Sequence, residues 1–547
     1  MKVAAVVCSS LLIVAAMGTV AAVAQNPIPF QHVVLIIQEN RTPDNLFGAG
    51  PPHPVCGVPD GFESGVDIDN GGMDQEKGLL CLRSTTLSTC WDVPHGNVQW
   101  NNQAHISIVN NQPVAAMDGA CKNSPEVEAQ GCPLPDCTQA QYTYVQKSDV
   151  QPYFDIATNY GFANYMFATN QGPSFPAHLF LLSGTSAPVA PGDLNSYYLD
   201  FVSANDDFGS SGCNGFGAPV GWVDYTDAPL MGTPGCYEHQ TLVDQLDRHQ
   251  PSSVSWRYYT PGPGVIWTAV NAIQHLCWAP GTNSGPCNST DWQNVIWPGK
   301  TSTYQSNGVP ALLDIQNCQL KQMNWLVPDG LWSDHNGFNA GAGPSYVASI
   351  VNAIGNSGCT DMVNGHTYTY WQDTAIFIVW DDWGGLYDHV SPFSILRQYP
   401  NNNNVIECQH PSQTWGCGFT YGFRVPLLVV SAYTKAGYVS GSIAPGGPGM
   451  QSDYIHDFGS ILRFVEKNFG LNYIVSTPGY YADYNAPDNG ERPGGDGNIP
   501  LSDFFKWPYR DFTPINPAVG MDANYFINYF ANHPTAAPTG PDGEDND

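Results

Sequence analysis

The sequence is short of positive charge. Of 547 residues only 18 are Lys or Arg, against 48 Asp or Glu, giving a formal net charge of −30. So acidic a surface repels nucleic acid and anionic membranes, which argues against DNA binding and against a polybasic lipid-docking patch. Beyond Val23 no apolar run is long enough to span a bilayer, so no stable membrane insertion is expected of the mature protein. There is no Cys-x-x-Cys pair and no Cys/His cluster at zinc-finger spacing, which leaves little room for a thiolate metal site. No internal repeat and no central linker appear, so the chain reads as one large domain with long loops.

What is present begins with Lys2 and an apolar run from Val3 to Val23, closed by Ala22-Val23-Ala24. That pattern predicts a secretory signal peptide over residues 1–24; the alternative is an N-terminal membrane anchor. Cys8 leaves with it, so 14 of the 15 cysteines remain. An even number in an exported chain favours disulfides. Cys81/Cys90, Cys132/Cys137 and Cys408/Cys417 read as local staples of loops, with the connectivity open. Charged residues make up only 12% of the chain, beside 56 glycines and 45 prolines. This suits an exported enzyme working at acidic pH, or equally a surface tuned for solubility alone. Residues 534–547 form a Pro/Gly/Asp-rich tail expected to be disordered, which leaves residues 25–533 as the catalytic domain.

Two segments predict buried parallel strands: His32–Ile37, with its β-branched residues, and Thr374–Trp380. Neither alternates polar with apolar, so both faces should be covered. Val425–Val430 is a third candidate, with Pro426 near its start. Tyr346, Val347, Ile350, Val351 and Ile354 recur at helical spacing. Asp457 can cap a second helix carrying Ile461, Leu462, Val465 and Phe469, with Gly470 as its stop. Helices interleaved with buried strands indicate an α/β fold with a doubly wound, mostly parallel sheet and helices on both faces.

Ligands of such sheets gather at the carboxyl ends of the strands. The first strand runs into Glu39-Asn40 and the second into Asp381-Asp382. Three carboxylates at one edge repel unless a cation neutralises them. Oxygen donors suit one divalent ion such as Mg²⁺, Ca²⁺ or Mn²⁺. Taken alone, the Asp pair could merely cap a turn. A third element, Gly172-Pro173-Ser174, opens an apolar helical segment, where backbone N–H groups favour an anion; an ordinary capping serine is the plain alternative.

Glu39-Asn40-Arg41-Thr42-Pro43-Asp44-Asn45-Leu46-Phe47-Gly48 resembles the ENR[ST]FDxxFG motif of the bacterial phosphoesterase family. That family holds phosphatidylcholine-type phospholipases C and acid phosphatases and is related to alkaline phosphatases. Residues 380–392, with Asp381-Asp382-Trp383-Gly384-Gly385 and Asp388-His389, resemble its DExGGxYDHVxPP motif. Gly422-Phe423-Arg424-Val425-Pro426 resembles its GxRVP strand, and His456-Asp457-Phe458-Gly459-Ser460 the start of its late helix. The matches run from about Val33 to Phe469. The resemblance implies an alkaline-phosphatase-like fold. It also implies Glu39, Asn40, Asp381 and Asp382 as metal ligands, with Ser174 as nucleophile and further ligand. His178 stands at the family's basic position, and Ala177 replaces its usual Asn. Asp92-Val93-Pro94-His95 and Ser333-Asp334-His335 resemble elements that bring His95 and His335 to the phosphate or leaving group. Asp388, His389 and His456 are expected to touch substrate or brace the loops, whereas His32 reads as scaffold.

The expectation is therefore a secreted or periplasmic, metal-dependent phosphoesterase acting through phosphoserine. The acidic surface disfavours phosphoinositides, so cleavage of zwitterionic phospholipid is preferred. Acid phosphatase action on small phosphate esters is the alternative. Cationic histidine below about pH 6 would give an acid optimum. A reading from another class is a secreted glycan-active or glycan-binding protein, since paired carboxylates and aromatics also serve sugars. That reading gives Ser174 no role. Oligomeric state is left open by the sequence.

Overall fold

A computed structural model describes residues 30–534, apart from 49–55, 57–63, 189–200, 393–420 and several stretches of five residues or fewer. The predicted signal segment 1–24, nearly all of the tail and the Cys408/Cys417 pair lie outside the described residues.

The core is an eight-stranded sheet. Its strands are β1 (His32–Gln38), β2 (Gly161–Ala163), β3 (Trp256–Tyr259), β4 (Val295–Ile296), β5 (Met323–Leu326), β6 (Thr374–Trp380), β7 (Leu427–Ser431) and β8 (Tyr438–Ser440). They lie in the order β4-β3-β5-β1-β6-β7-β2-β8. All neighbours are parallel except β7, which runs antiparallel to both β6 and β2. The third predicted strand is thus a strand, but it is reversed and begins after Pro426. A continuous apolar run looks the same in either direction, and a proline has no N–H to give the ladder.

Helices cover both faces. They include α1 (Pro43–Phe47), α2 (Gln151–Asn159), α3 (Ser174–Ser183), α4 (Gly343–Gly355) and α5 (Phe458–Phe469). On β6, the Phe377 ring meets Phe464 of α5 at 5.0 Å, and the Trp380 ring meets Tyr153 of α2 at 5.0 Å. Residues an odd number apart in a strand point to opposite faces, so α5 and α2 lie on opposite sides of the sheet. α5 starts where Asp457 Oδ1 accepts from Ser460 N at 2.9 Å, and stops at Gly470 with φ 70°. β1 and β6 are buried over all seven residues each. At about 25 cal/mol per Å² of apolar surface, these two strands anchor the hydrophobic core.

Residues 71–145 leave this frame as an excursion of short two-stranded ribbons. Apart from isolated residues such as Leu87 and Val145, its apolar side chains gather in small separate clusters, such as Trp91 with Val93 and Ala140. Disulfides hold it: Cys56–Cys81, Cys90–Cys132 and Cys121–Cys137. Cys213–Cys236, Cys277–Cys287 and Cys318–Cys359 fasten other loops. The expected pairs Cys81/Cys90 and Cys132/Cys137 are therefore corrected. Asp136 caps the short helix Cys137–Ala140 and turns Cys137 toward Cys121, whose Cα lies 5.1 Å away. Nearness along the chain does not align Cβ vectors.

Candidate functional site

Register builds the site. β1 and β6 pair along their whole length, ending with Gln38 opposite Trp380. Glu39-Asn40 and Asp381-Asp382 therefore leave the sheet side by side. Asp381 N donates to Gln38 O and Arg41 N to Asp382 O, at 3.0 and 3.1 Å, so the pairing continues into the loops. Asn40 takes φ 61°, a left-handed conformation that Asn tolerates better than most residues. Gly384 is needed beside it: at φ +59° an added Cβ would lie 2.5 Å from the Asn40 carbonyl oxygen.

Ser174 arrives from the other direction as the first residue of α3. Its Oγ lies 3.3 Å from Glu39 Oε2, 3.5 Å from Asn40 Oδ1 and 3.4 Å from Asp382 Oδ2. One helical turn on, His178 Nε2 is 3.1 Å from Glu39 Oε1 and 3.9 Å from Asp381 Oδ2. All are buried. Asp381 Oδ1 accepts from the backbone N–H of Asn40 and of Asp382, whereas Asp381 Oδ2 is buried without a hydrogen-bond partner. Burial first, then Asp381, pushes the Glu39 carboxyl well above its usual range. Three crowded carboxylates, one bare oxygen and a ring nitrogen form a donor set that could hold a divalent cation. Donor atoms of Glu39, His178 and Asp381 all lie within 4.8 Å of one another. His178 thus belongs to the same donor group as Glu39 and Asp381.

Two histidines close the site. His95 Nδ1 is 2.8 Å from the Val93 carbonyl and so carries the proton; Nε2 accepts from Asn40 Nδ2 at 3.0 Å, which aims Asn40 Oδ1 at Ser174. His335 Nδ1 likewise donates to Asn336 O at 2.6 Å, and its ring stands 5.8 Å from that of His95. Burial, then His95, drives His335 down to about 3, and burial drives His178 down to about 4. Both shifts favour the neutral ring at these two positions. The anion site expected at the start of α3 is also curtailed. Phe175 N–H is taken by Asn205 Oδ1 at 3.0 Å, and Pro176 has no N–H.

Asp388 and His389 join a different group. Arg424 is fully buried and donates from Nε and Nη2 to the two oxygens of Asp388, each at 2.9 Å, and from Nη2 to Asp44 Oδ1 at 3.2 Å. His389 Nδ1 meets Asp44 Oδ2 at 2.8 Å and Nε2 meets Asp67 Oδ1 at 3.2 Å. This network clamps the loop that follows Asp382. His456 is hydrogen-bonded to Asp488 and Ser440. Sequence reading passed over Arg41, whose buried guanidinium holds the Asp334 and Leu87 carbonyls and so fixes the chain beside His335. Two arginines inside matched motifs, in a chain so poor in positive charge, were the available signal for Arg41 and Arg424.

A helix-borne hydroxyl set among carboxylates at the ends of parallel strands defines a class: α/β proteins with a buried polar cluster, able to hold a cation, at the carboxyl edge of the sheet. Comparison narrows it. The Phosphoesterase family model matches residues 30–472, and the chain belongs to that family. It is 23% identical to the hemolytic phospholipase C of Pseudomonas aeruginosa, over 81% of this chain and 53% of that protein. It is 27% identical to a non-hemolytic phospholipase C of Burkholderia pseudomallei, over 82% and 56%. It is 26% identical to phospholipase C A of Mycobacterium tuberculosis, over 85% and 79%. The chain spans about half the length of the first two.

Proposed function

We propose that this protein is an exported phosphoesterase, dependent on one divalent cation, that cleaves phospholipids in the manner of a phospholipase C through a phosphoserine at Ser174. The observation that carries this is Ser174 Oγ within 3.5 Å of Glu39, Asn40 and Asp382 at once. An isolated capping serine has no reason to meet carboxylates from two strand ends. The parallel strands that deliver these residues, with helices on both faces, also support an alkaline-phosphatase-like arrangement. Residues 1–24 as signal and 25–533 as the catalytic unit complete the reading. Among the described residues no helix is long and apolar enough to cross a membrane.

Glu39, Asn40, Asp381, Asp382 and Ser174 would hold the ion, with His178 in reach of it. When bound, the cation supplies charge that lowers the pKa of the Ser174 hydroxyl and offsets negative charge on the phosphoryl oxygens. Ser174 Oγ attacks phosphorus, and the bond to the leaving alcohol breaks. A phosphate anion beside His335 raises that ring's proton affinity, so His335 Nε2 can take the proton that Ser174 loses and pass it to the departing oxygen, while His95 holds Asn40 in place through Nε2 and borders the phosphate. Water then cleaves the phosphoserine. Ala177 offers no polar group where the resembled motif has Asn.

The test pairs phosphatidylcholine with p-nitrophenyl phosphate, with and without metal stripping. Phosphocholine release that vanishes in Ser174→Ala and in stripped enzyme is expected. Full turnover by Ser174→Ala removes the mechanism, and hydrolysis of the monoester alone removes the phospholipase reading. Sugar release that survives EDTA would favour the glycan reading.

A further inference from the structure

The opposite end of the sheet holds another group of metal-type side chains. His32 opens β1, seven residues before Glu39, so at ~3.3 Å per residue it lies roughly 20 Å from the catalytic cluster. Asp361 comes from the hairpin strand Thr360–Val363, and Asp373 ends the short helix Tyr370–Asp373 that leads into β6. One donor atom from each lies within 4.8 Å of the others.

Three observations point to a ligand. Asp373 is 1% exposed, and neither of its carboxylate oxygens has a hydrogen-bond partner. A buried carboxylate left so is costly unless a charge meets it. His32 Nδ1 lies 2.7 Å from the Lys321 carbonyl and so carries the proton, the arrangement that orients a metal-bound imidazole. That leaves Nε2 as a lone pair, yet it faces Asp361 Oδ2 at 2.8 Å, which is repulsive unless a proton or a cation lies between. A doubly protonated ring would answer Asp361 and its charge would reach Asp373, but neither oxygen of Asp373 would gain a hydrogen bond. A cation answers all three. The Asp361 side chain is 34% exposed, which gives the ion an entry path and room for water as a further ligand. One nitrogen and two carboxylates suit Zn²⁺ better than Mg²⁺ or Ca²⁺. The comparable group of Asp44, Asp388 and His389 is different, because Arg424 already supplies its positive charge.

We propose that His32, Asp361 and Asp373 form a second divalent-metal site, of the Zn²⁺ class, which ties the hairpin at residues 360–369 to the base of the sheet. The site is independent of the catalytic reading. The full chain is stripped, reloaded with Zn²⁺, dialysed and analysed for zinc by mass spectrometry. Asp361→Asn, on the partly exposed hairpin, and Asp373→Asn, an isostere, are each expected to bind one equivalent fewer than wild type while keeping the wild-type circular dichroism. Anomalous diffraction at the zinc edge should show a peak beside His32 Nε2. Zinc content equal in wild type and both variants, or anomalous density confined to the Ser174 cluster, overturns the proposal.

Discussion

Replacing Arg424 by Met should strand Asp388. In the native chain that carboxylate receives two charge-assisted hydrogen bonds from the guanidinium, each 2.9 Å long, in a fully buried setting. His389 cannot take over, because its ring nitrogens are engaged by Asp44 and Asp67. Breaking a buried pair from one side costs about 3–5 kcal/mol. An independent bound comes from the proton. Burial already lifts the Asp388 carboxyl to about 6 despite Arg424, so the stranded group will neutralise. Binding a proton that the unfolded chain, with a pKa of about 3.9, does not hold costs about 1.4 kcal/mol per pH unit. Wild type already carries the cost from about 3.9 to about 6, so the proton adds about 1.4 kcal/mol to the mutant's loss at pH 7 and almost nothing at pH 5. Stability of domains is about 5–15 kcal/mol in total, so the loss at pH 7 is severe. Urea titration of wild type and Arg424→Met at both pH values checks it. Arg424→Met with Asp388→Asn should recover at least half of the loss at pH 7. A deficit under 1 kcal/mol at pH 7, or one unchanged at pH 5, refutes the reasoning.

Gly384→Ala should cut turnover more than tenfold for a stability cost of about 1–3 kcal/mol, because the new Cβ meets the Asn40 carbonyl at 2.5 Å in a strained left-handed conformation; steady-state kinetics and a melting curve separate the two effects. Burial opposes charge on His389, but Asp44 and then Asp67 outweigh it and push the group up to about 10. Its contribution to stability is therefore complete below about pH 6.5 and lost as pH rises toward 10; denaturant titration across that window should show the fall, and His389→Gln should flatten it. Asp381→Asn removes a carboxylate whose bare oxygen points into the cluster; metal affinity should drop at least tenfold by calorimetric titration, with the fold retained in circular dichroism.

The strands that deliver the site were legible because β1 and β6 are buried on both faces and end in polar residues of the right chemistry. What the reading could not contain was register. Only the pairing of Gln38 with Trp380 puts Glu39 beside Asp381, and pairing is a property of two segments at once. The reversal of β7 was hidden for the same reason. Among the histidines, sequence offered motif neighbours but no directions. His178 turned out to face Glu39 because it lies one helical turn beyond Ser174, a spacing that was available once α3 was recognised. His456, equally close to a motif, faces Asp488 instead. Cysteine partners were illegible because the excursion at 71–145 brings together residues 42 and 16 apart in the chain.

That excursion has a consequence for when the protein can act. It carries His95 on a framework whose apolar side chains form small clusters, and the link between Cys90 and Cys132 alone, closing a span of 42 residues, is worth about 4 kcal/mol by chain-entropy reckoning. On the proposed reading, the disulfides of this excursion tie the placement of His95 to an oxidising compartment, so a reductant should slow phospholipid cleavage before it disturbs the central sheet.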